Sequence, residues 1–431
     1  MSNADSARQP AAPEAPSPLP PDAASAGAPP DGNSAGNTAL TAALLAEGRI
    51  GPSQIKSFCG AGCPRAFATP DLAPEREAGD GRNAELSALL HAAAVSDLGW
   101  QSWIRVTGTD RIRWLNGMVS NAVQSLPENE GNYNFLLNAQ GRIQGDCMLY
   151  RRPGDALLTT GQDQVAAVVR SLERYIIMDD VELQVVSGEW TALSIAGPGA
   201  AETLRRAIAD PLPEWAPRGN ARLREIRLPI PRQGSADSEA SGADSSAILI
   251  AVPSPLAPRY ELWIAPSQVL TCWDALLEAG ARPSGVDALE ALRVLEGAPR
   301  YGLDFDHRNL PQETGQTRAL HFAKGCYLGQ EIVERIRSQA TVHRNLRQFE
   351  LRGALPSLPC DLLRADQVVG RLTSAASLPL QGVTRSFGLG FLRAEAEARA
   401  GDFDYAGGSA RLMAAPPLPP GPRTDAGADP N

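Results

Sequence analysis

Lys324-Gly325-Cys326-Tyr327-Leu328-Gly329-Gln330-Glu331 sets one thiol between two glycines, beside a lysine and ahead of a Gln-Glu pair. A neighbouring cation can lower a thiol pKa, and the thiolate is the form that attacks, binds metal or exchanges sulfur. Gly325 and Gly329 allow a tight turn, or the close approach of a ligand or another chain. Read alone, the octet equally suits a buried cysteine in a tight turn ahead of a capped helix, since free cysteines are commonly buried.

The octet resembles the signature of the YgfZ family of folate-binding proteins, relatives of the glycine-cleavage T-protein, an aminomethyltransferase (GcvT). Arg293 to Gly297, Gly302 to Asp306, Pro311-Gln312-Glu313-Thr314, Arg335 and Arg344-Asn345-Leu346 follow the order and spacing of that family. The resemblance covers about residues 85 to 412. It implies an α+β fold: a GcvT-like three-part disc with a central folate hole, ending in a small C-terminal β-barrel.

Outward from the octet, composition divides the 431 residues. Residues 1–84 are dominated by Ala, Pro, Ser, Gly and Asp, bury too little to offset ordering entropy and are expected to be disordered, with a short helix near Thr41 to Glu47. Residues 414–431 have the same composition and expectation. Between them lie an expected folate-binding α+β region, 85–344, and a C-terminal part, 345–413, where short strands alternating with period two suggest a small barrel or sandwich and the resemblance implies the barrel. Residues 234–246, a low-complexity run of Ser, Ala, Gly, Asp and Glu, read as a mobile surface loop.

Within the α+β region, Trp103 to Val106 alternates as a strand and leads through Thr109-Asp110 into a capped helix. Tyr133 to Leu137 and Arg142 to Arg151 form a hairpin whose Asn138-Ala139-Gln140-Gly141 connection suits a type I turn. Val165 to Ile176 has helical spacing, and strands follow at Leu183 to Val186, Thr191 to Ala196 and Tyr260 to Ile264. Gly197-Pro198-Gly199 reads as a strand-to-helix turn and lacks the spacing of a phosphate loop. Ser267 caps an expected helix ending at Gly280, and a second runs from Asp287 to Glu296, closed by Gly297.

No apolar run approaches the roughly eighteen residues that span a bilayer, no signal-peptide pattern opens the chain, and the expected compartment is a bacterial cytoplasm. The six cysteines are scattered, not framed for disulfides, and Cys59-x3-Cys63 is half a metal site at most. A net charge of −9 disfavours salt-driven nucleic-acid binding. Arg335, Arg337, Arg344, Arg347 and Arg352 form a basic run that marks either an anionic ligand or a solvated face, and Arg335 is taken as its folate-binding member.

Cys326 and Lys324 are the candidate catalytic pair. Asp146 lies on the strand after the Asn138 turn, on a face with Gln144 and Met148, where a carboxylate must be solvated, paired or ligand-bound. The resemblance implies that this strand lines the folate hole. The T-protein carries two adjacent acids where this chain has Gly145-Asp146; Asp146 matches the second, and loss of the first disfavours aminomethyl transfer. Pro255 to Arg259 likewise replaces a glycine-rich T-protein segment, while Glu261 persists where a carboxylate can accept from the N–H edge of a pterin. Asn121 is a further candidate pocket residue. His321 and His343 read as structural, and Asp304, Asp306 and Glu313 as turn caps in preference to a metal cluster. The resemblance thus implies tetrahydrofolate or a one-carbon derivative as cofactor. It implies an accessory role in iron-sulfur cluster assembly or repair, with iron-sulfur client enzymes or assembly proteins as partners. The alternatives are a true aminomethyltransferase and a factor that affects tRNA modification indirectly through iron-sulfur enzymes.

Overall fold

The computed structural model describes residues 36–67, 77–208, 210–213, 220–228, 246–339, 342–380, 383–399 and 401–414. Helix α1 (Ala39–Ala46) precedes a hairpin of β1 (Ile55–Phe58) and β2 (Ala61–Pro64), and α2 (Glu77–His91) follows. Then come β3 (Ala94–Asp97), β4 (Gln101–Thr107), α3 (Arg111–Met118), β5 (Glu130–Leu137), β6 (Ile143–Arg151), β7 (Ala156–Gly161), α4 (Val165–Glu173) and β8 (Glu182–Val185). A second series comprises β9 (Thr191–Ala196), α5 (Ala200–Ala207), β10 (Ala221–Arg227), β11 (Ser246–Val252), β12 (Arg259–Ile264), α6 (Val269–Glu278), β13 (Arg282–Ser284) and α7 (Val286–Glu296). After α8 (Gln330–Gln339) the chain continues as β14 (Arg344–Gly353), β15 (Cys360–Arg364), β16 (Gln367–Leu380), β17 (Val383–Arg393), α9 (Ala394–Glu397), β18 (Phe403–Tyr405) and β19 (Gly408–Leu412).

Strands β3 to β13 make one 11-stranded sheet in the order β13-β3-β9-β12-β11-β10-β5-β6-β7-β4-β8. Its outer face is apolar and covered by helices. Val95, Leu193, Leu249 and Ile264 pack with α1, α5 and α6, while Ile104, Leu136, Cys147 and Leu149 pack with α3 and α4. The inner face is aromatic: Trp103, Tyr150, Ala192, Ile248 and Trp263 share one buried cluster. The sheet is curled, because Trp103 of β4 and Tyr150 of β6 stand edge-on to Trp263 of β12 with centroids 5.6 and 5.1 Å away.

The C-terminal strands close into a barrel, β14-β17-β16-β15-β18-β19. The fold class read from the sequence therefore stands: mixed helix and sheet with a C-terminal β-barrel. The barrel rests on α2 and α7 through Ala376, Leu378, Phe387 and Leu389. Asp304 is the polar anchor of that contact. Its buried carboxylate takes Arg293 Nη1 of α7 at 2.5 Å, and Thr373 Oγ1 and Ser374 Oγ of the barrel at 2.6 Å each.

Several local expectations are corrected. Residues 36–67 are folded, not disordered, with Leu40 and Leu44 fully buried in the main core and Phe58, Ala61 and Cys63 in another cluster. Leucines and a hairpin supply enough buried surface there despite the surrounding Ala/Pro-rich composition. Residues 1–35, 68–76, 234–245 and 415–431, also assigned to disorder or to a mobile loop, lie outside the described residues. Ser267 does not cap α6; it sits in a 3-10 turn, Pro266–Gln268, and the N-cap is Gln268. Asp110 precedes α3 but turns its carboxylate to the Asp180 N–H at 3.0 Å. In Gly197-Pro198-Gly199, the N–H groups of both glycines are used by Pro258 and Ala92 carbonyls, as a turn requires. Among the described residues no helix is long and apolar enough to cross a membrane.

A buried carboxyl ties the N-terminal segment to the sheet. Asp97 accepts from the Thr38 hydroxyl at the α1 N-cap, from Thr41 Oγ1 at 3.4 Å and from Gly99 N–H at 2.8 Å. Burial raises its pKa from 3.8 to about 6, although those donors favour the charged form. The folded chain thus holds this proton to higher pH than the unfolded chain, and the associated stability is full below 3.8 and lost as pH rises through about 6. Asp97→Asn is expected to flatten that part of the stability-pH curve, measured by urea unfolding; an unchanged slope would refute the assignment. Asp304→Ala is expected to cost about 2 kcal/mol in the same measurement, since it removes the acceptor shared by Thr373 and Ser374 and leaves Arg293 with Glu290 as its one carboxylate partner among the described residues.

Candidate functional site

Register builds a polar path on the inner face of the sheet. Met148 pairs with Thr159, and Thr159 with Trp103. Two residues along the same strands, on the same face, stand Asp146, Gly161 and Gln101. Gln101 Nε2 reaches across the curl and donates to Glu261 Oε2 at 3.4 Å. Glu261 in turn heads a row of paired residues, Ser194, Ser96 and Ser284, on β9, β3 and β13. Only the curl of the sheet brings Asp146 and Glu261 onto one wall.

Glu261 is 9% exposed and also accepts from Trp263 Nε1 at 3.2 Å. Burial raises its pKa; Arg259 and the two donors oppose the rise. Along β9, β3, β13 and the start of β4, among the described residues, the hydroxyls of Ser194, Ser96 and Ser284, the indole N–H of Trp100 and Trp103, and Gln101 Oε1 are buried without a partner. Orphaned buried polar groups are costly unless a ligand or water meets them.

Asp146 is half-buried, and burial raises its pKa. Tyr133 donates to its Oδ2 at 2.6 Å, and Asp146 N–H donates to Gln164 Oε1 at 3.3 Å. Asp163 pushes the Asp146 pKa further up, while Arg318, its guanidinium 4.9 Å over the Tyr133 ring, pulls it down. Gly145 faces the other way. A Cβ there would meet Val168 at 3.2 Å and Gln164 at 3.5 Å, against α4 and its start. An acid at 145 would therefore not share the inner face with Asp146.

The tip of the β1-β2 hairpin adds groups that sequence reading did not assign to this site. Cys59 has φ +48°, its carbonyl accepts Asp163 N–H at 3.2 Å, and its Sγ lies 3.6 Å from Arg300 Nη1. Burial raises the Cys59 thiol to about 12. Gly161 leaves room for this tip: a Cβ on it would lie 2.5 Å from Asp163 Oδ1 and 3.4 Å from Cys59 Cβ. Cys63, on β2 of the hairpin, is buried, and among the described residues no group of three or more His, Cys, Asp or Glu could hold a metal ion.

The octet lies beside this wall, not in it. Tyr327 is buried with Phe135, Ile143 and Phe305, and Gly329 (φ +79°) packs on the β5-β6 turn, where a Cβ would meet Asn138 O at 2.5 Å. A Cβ on Gly325 would meet only open space, so sterics do not demand that glycine. Lys324 turns its ammonium away from a thiol role. It donates to Val119 O at 2.6 Å and Asn121 O at 2.7 Å, over the Tyr327 ring. Burial lowers its pKa to about 7, whereas both carbonyls and the ring favour the charged form. Cys326 is exposed and, among the described residues, makes no hydrogen bond.

Asn121 is committed to structure: its Nδ2 donates to Tyr133 O at 3.1 Å and Arg318 O at 2.8 Å, which brings the α3-β5 connection to the Arg318 turn. Arg335 is exposed on α8, paired with Glu331 at 2.7 Å, and none of its contacts reaches Asp146 or Glu261. Asp304, Asp306 and Glu313 each have an arginine partner, Arg293, Arg308 and Arg344. The groups missed in the sequence, Tyr133, Gln101, Gln164 and Arg318, have one retrospective signal: Tyr133 shares a strand face with Phe135, opposite Asp146.

Residues 52–218 match the family model described as GCVT N-terminal domain. The aminomethyltransferase of Rubrobacter xylanophilus is 26% identical over 321 residues, 74% of this chain and 80% of that protein. A chloroplastic putative transferase of Arabidopsis thaliana is 24% identical over 323 residues, 74% of this chain and 70% of its own length. The crystal structure of glycine cleavage system aminomethyltransferase T from Bartonella henselae superposes with a TM-score of 0.72 at 16% identity, covering 88% of this chain and 97% of that one. The chain thus resembles the GCVT N-terminal domain over residues 52–218 and shares the fold of the Bartonella protein.

Tyr133→Phe removes the donor that favours the Asp146 carboxylate. The midpoint of the Asp146 titration, followed by carboxyl carbon NMR, is expected to move to higher pH; no movement would show that the phenol does not hold the acid.

Proposed function

We propose that this protein binds a tetrahydrofolate along the inner wall of the curled sheet, with the pterin at Glu261 and the rest of the molecule running past Asp146. The observation that carries the proposal is the single path Glu261, Gln101, Gly161, Asp146. It pairs two carboxylates of raised pKa with orphaned buried donors and acceptors. Those groups fit a neutral, hydrogen-bonding heterocycle: Glu261 accepts from its N–H edge, and Trp103 and Trp263 form the surrounding aromatic wall.

Bound tetrahydrofolate supplies the nitrogen that accepts or holds a one-carbon unit. Asp146 is the group beside it able to hold or move a proton. Its raised pKa brings it toward the working range of an acid-base group, and the Tyr133 hydroxyl fixes its orientation. Exclusion of water falls to the aromatic cluster and to the Cys59-Gly60 hairpin tip.

Two readings of the wider role follow. Aminomethyl transfer is supported by relatives named aminomethyltransferase, and by Gly145 facing α4, so that its lack of a carboxyl leaves the inner wall intact. A YgfZ-type accessory role in iron-sulfur assembly, with iron-sulfur clients as partners, is supported by the octet and by the exposed Cys326, whose thiol is open to another protein. Indirect effects on tRNA modification belong to that second reading.

Titration of the full chain with tetrahydrofolate is expected to give saturable binding that Asp146→Ala and Glu261→Ala each weaken by about tenfold or more. A wild-type chain that binds no folate would overturn the proposal. Turnover with an aminomethyl-lipoyl carrier then assigns the transferase. Absence of turnover, together with failure of Cys326→Ser to restore iron-sulfur enzymes in a deletion strain, assigns the accessory factor.

A further inference from the structure

We propose that Arg318 selects folates by their anionic tail, holding a carboxylate of the glutamyl group where the inner wall opens to solvent. This deepens the folate reading above and rests on it. Exposure rises along the wall: Glu261 is 9% exposed, Asp146 and Tyr133 are half-buried, and Arg318 is exposed. A ligand with a neutral head and an acidic tail fits that gradient in one direction only, head at Glu261 and tail at Arg318.

The arginine is held in place by its backbone. It sits in the 3-10 turn Thr317–Ala319, its carbonyl accepts Asn121 Nδ2 at 2.8 Å, and the next carbonyl, of fully buried Ala319, accepts Ser120 Oγ at 2.5 Å. The side chain crosses the Tyr133 ring at 4.9 Å, and the Tyr133 hydroxyl bonds Asp146, so the cation stands one ring away from the acid.

Its charge lowers the Asp146 pKa without an ion pair between the two side chains. Arg300 has Glu290 at 3.6 Å, Arg335 has Glu331 at 2.7 Å, and Arg344 has Glu313 at 3.4 Å. Among the described residues no carboxylate forms an ion pair with Arg318. A guanidinium that lies over an aromatic ring spends its face on the ring and leaves its N–H rim open, and that rim matches a carboxylate in a two-pronged contact.

The test measures binding to the full chain of three probes: tetrahydrofolate, its triglutamate, and a tetrahydropterin lacking the aminobenzoyl-glutamate tail. Arg318→Gln is expected to weaken both tailed folates about tenfold and to leave the tailless pterin unchanged, with Arg318→Lys between wild type and Gln. Added salt should narrow the gap between wild type and Arg318→Gln for the tailed ligands alone. Equal losses for tailed and tailless probes, or no loss for either, would overturn the role of Arg318 while leaving folate binding in place. If the wild type binds none of the three probes, the folate reading itself fails, and this proposal with it. Matching thermal unfolding of the variants and wild type establishes that the comparison is between folded proteins.

Discussion

Everything in the inner wall depends on one contact, the edge-on packing of Trp103 and Tyr150 against Trp263. Strands β4 and β12 are remote in the order of the sheet, and a flat sheet would leave these rings in water. Burying large aromatic rings is strongly favourable, so closing the curl is the way the inner face satisfies its own composition. Helices cannot substitute there, since they already occupy the outer face over both halves of the sheet. Once the curl closes, Gln101 meets Glu261, and groups from β4, β6, β7 and β12 share a single lining.

That lining carries a cost which points to its use. Glu261 and Asp146 lose solvent on closure, and their pKa values rise because burial penalises the charged form. Among the described residues, three serine hydroxyls in the row that starts at Glu261 and the indole N–H groups of Trp100 and Trp103 are left without partners. A wall built only for stability would have been apolar throughout, like the outer face. Orphaned groups of this kind gather where a ligand completes the hydrogen bonds, which is the ground on which a folate is proposed for this wall.

The octet around Cys326 drew attention because its chemistry is dense, yet its residues divide the work differently from their sequence order. Tyr327 and Gly329 seat the start of α8 on the β5-β6 turn, Lys324 closes two carbonyls of the segment after α3, and Cys326 alone is left at the surface. Lys324 is therefore a brace for the segment that carries Asn121, and so for the Tyr133-Asp146 pair. The error over residues 36–67 has a related cause. Mean composition around the hairpin is that of a disordered tail, but Leu40, Leu44 and Phe58 are placed where the sheet and α6 or α7 can bury them, and composition carries no record of partners distant in sequence.

By itself the sequence determined the local elements whose signals lie within a few residues. The β5-β6 hairpin followed from Asn138 and Gly141, the end of α7 from Gly297, and the all-β C-terminal part from its period of two, while its closure into a barrel belongs to the tertiary structure. Asp146 and Glu261 were legible one at a time, as carboxylates on strands. Tertiary structure alone decided that they line one wall, that Gly145 faces α4, that Cys59 reaches the site, and that Arg318 lies over the Tyr133 ring. The physical reason is that strand register and sheet curl are set by burial summed over the whole sheet, and such a sum cannot be read from any stretch of it.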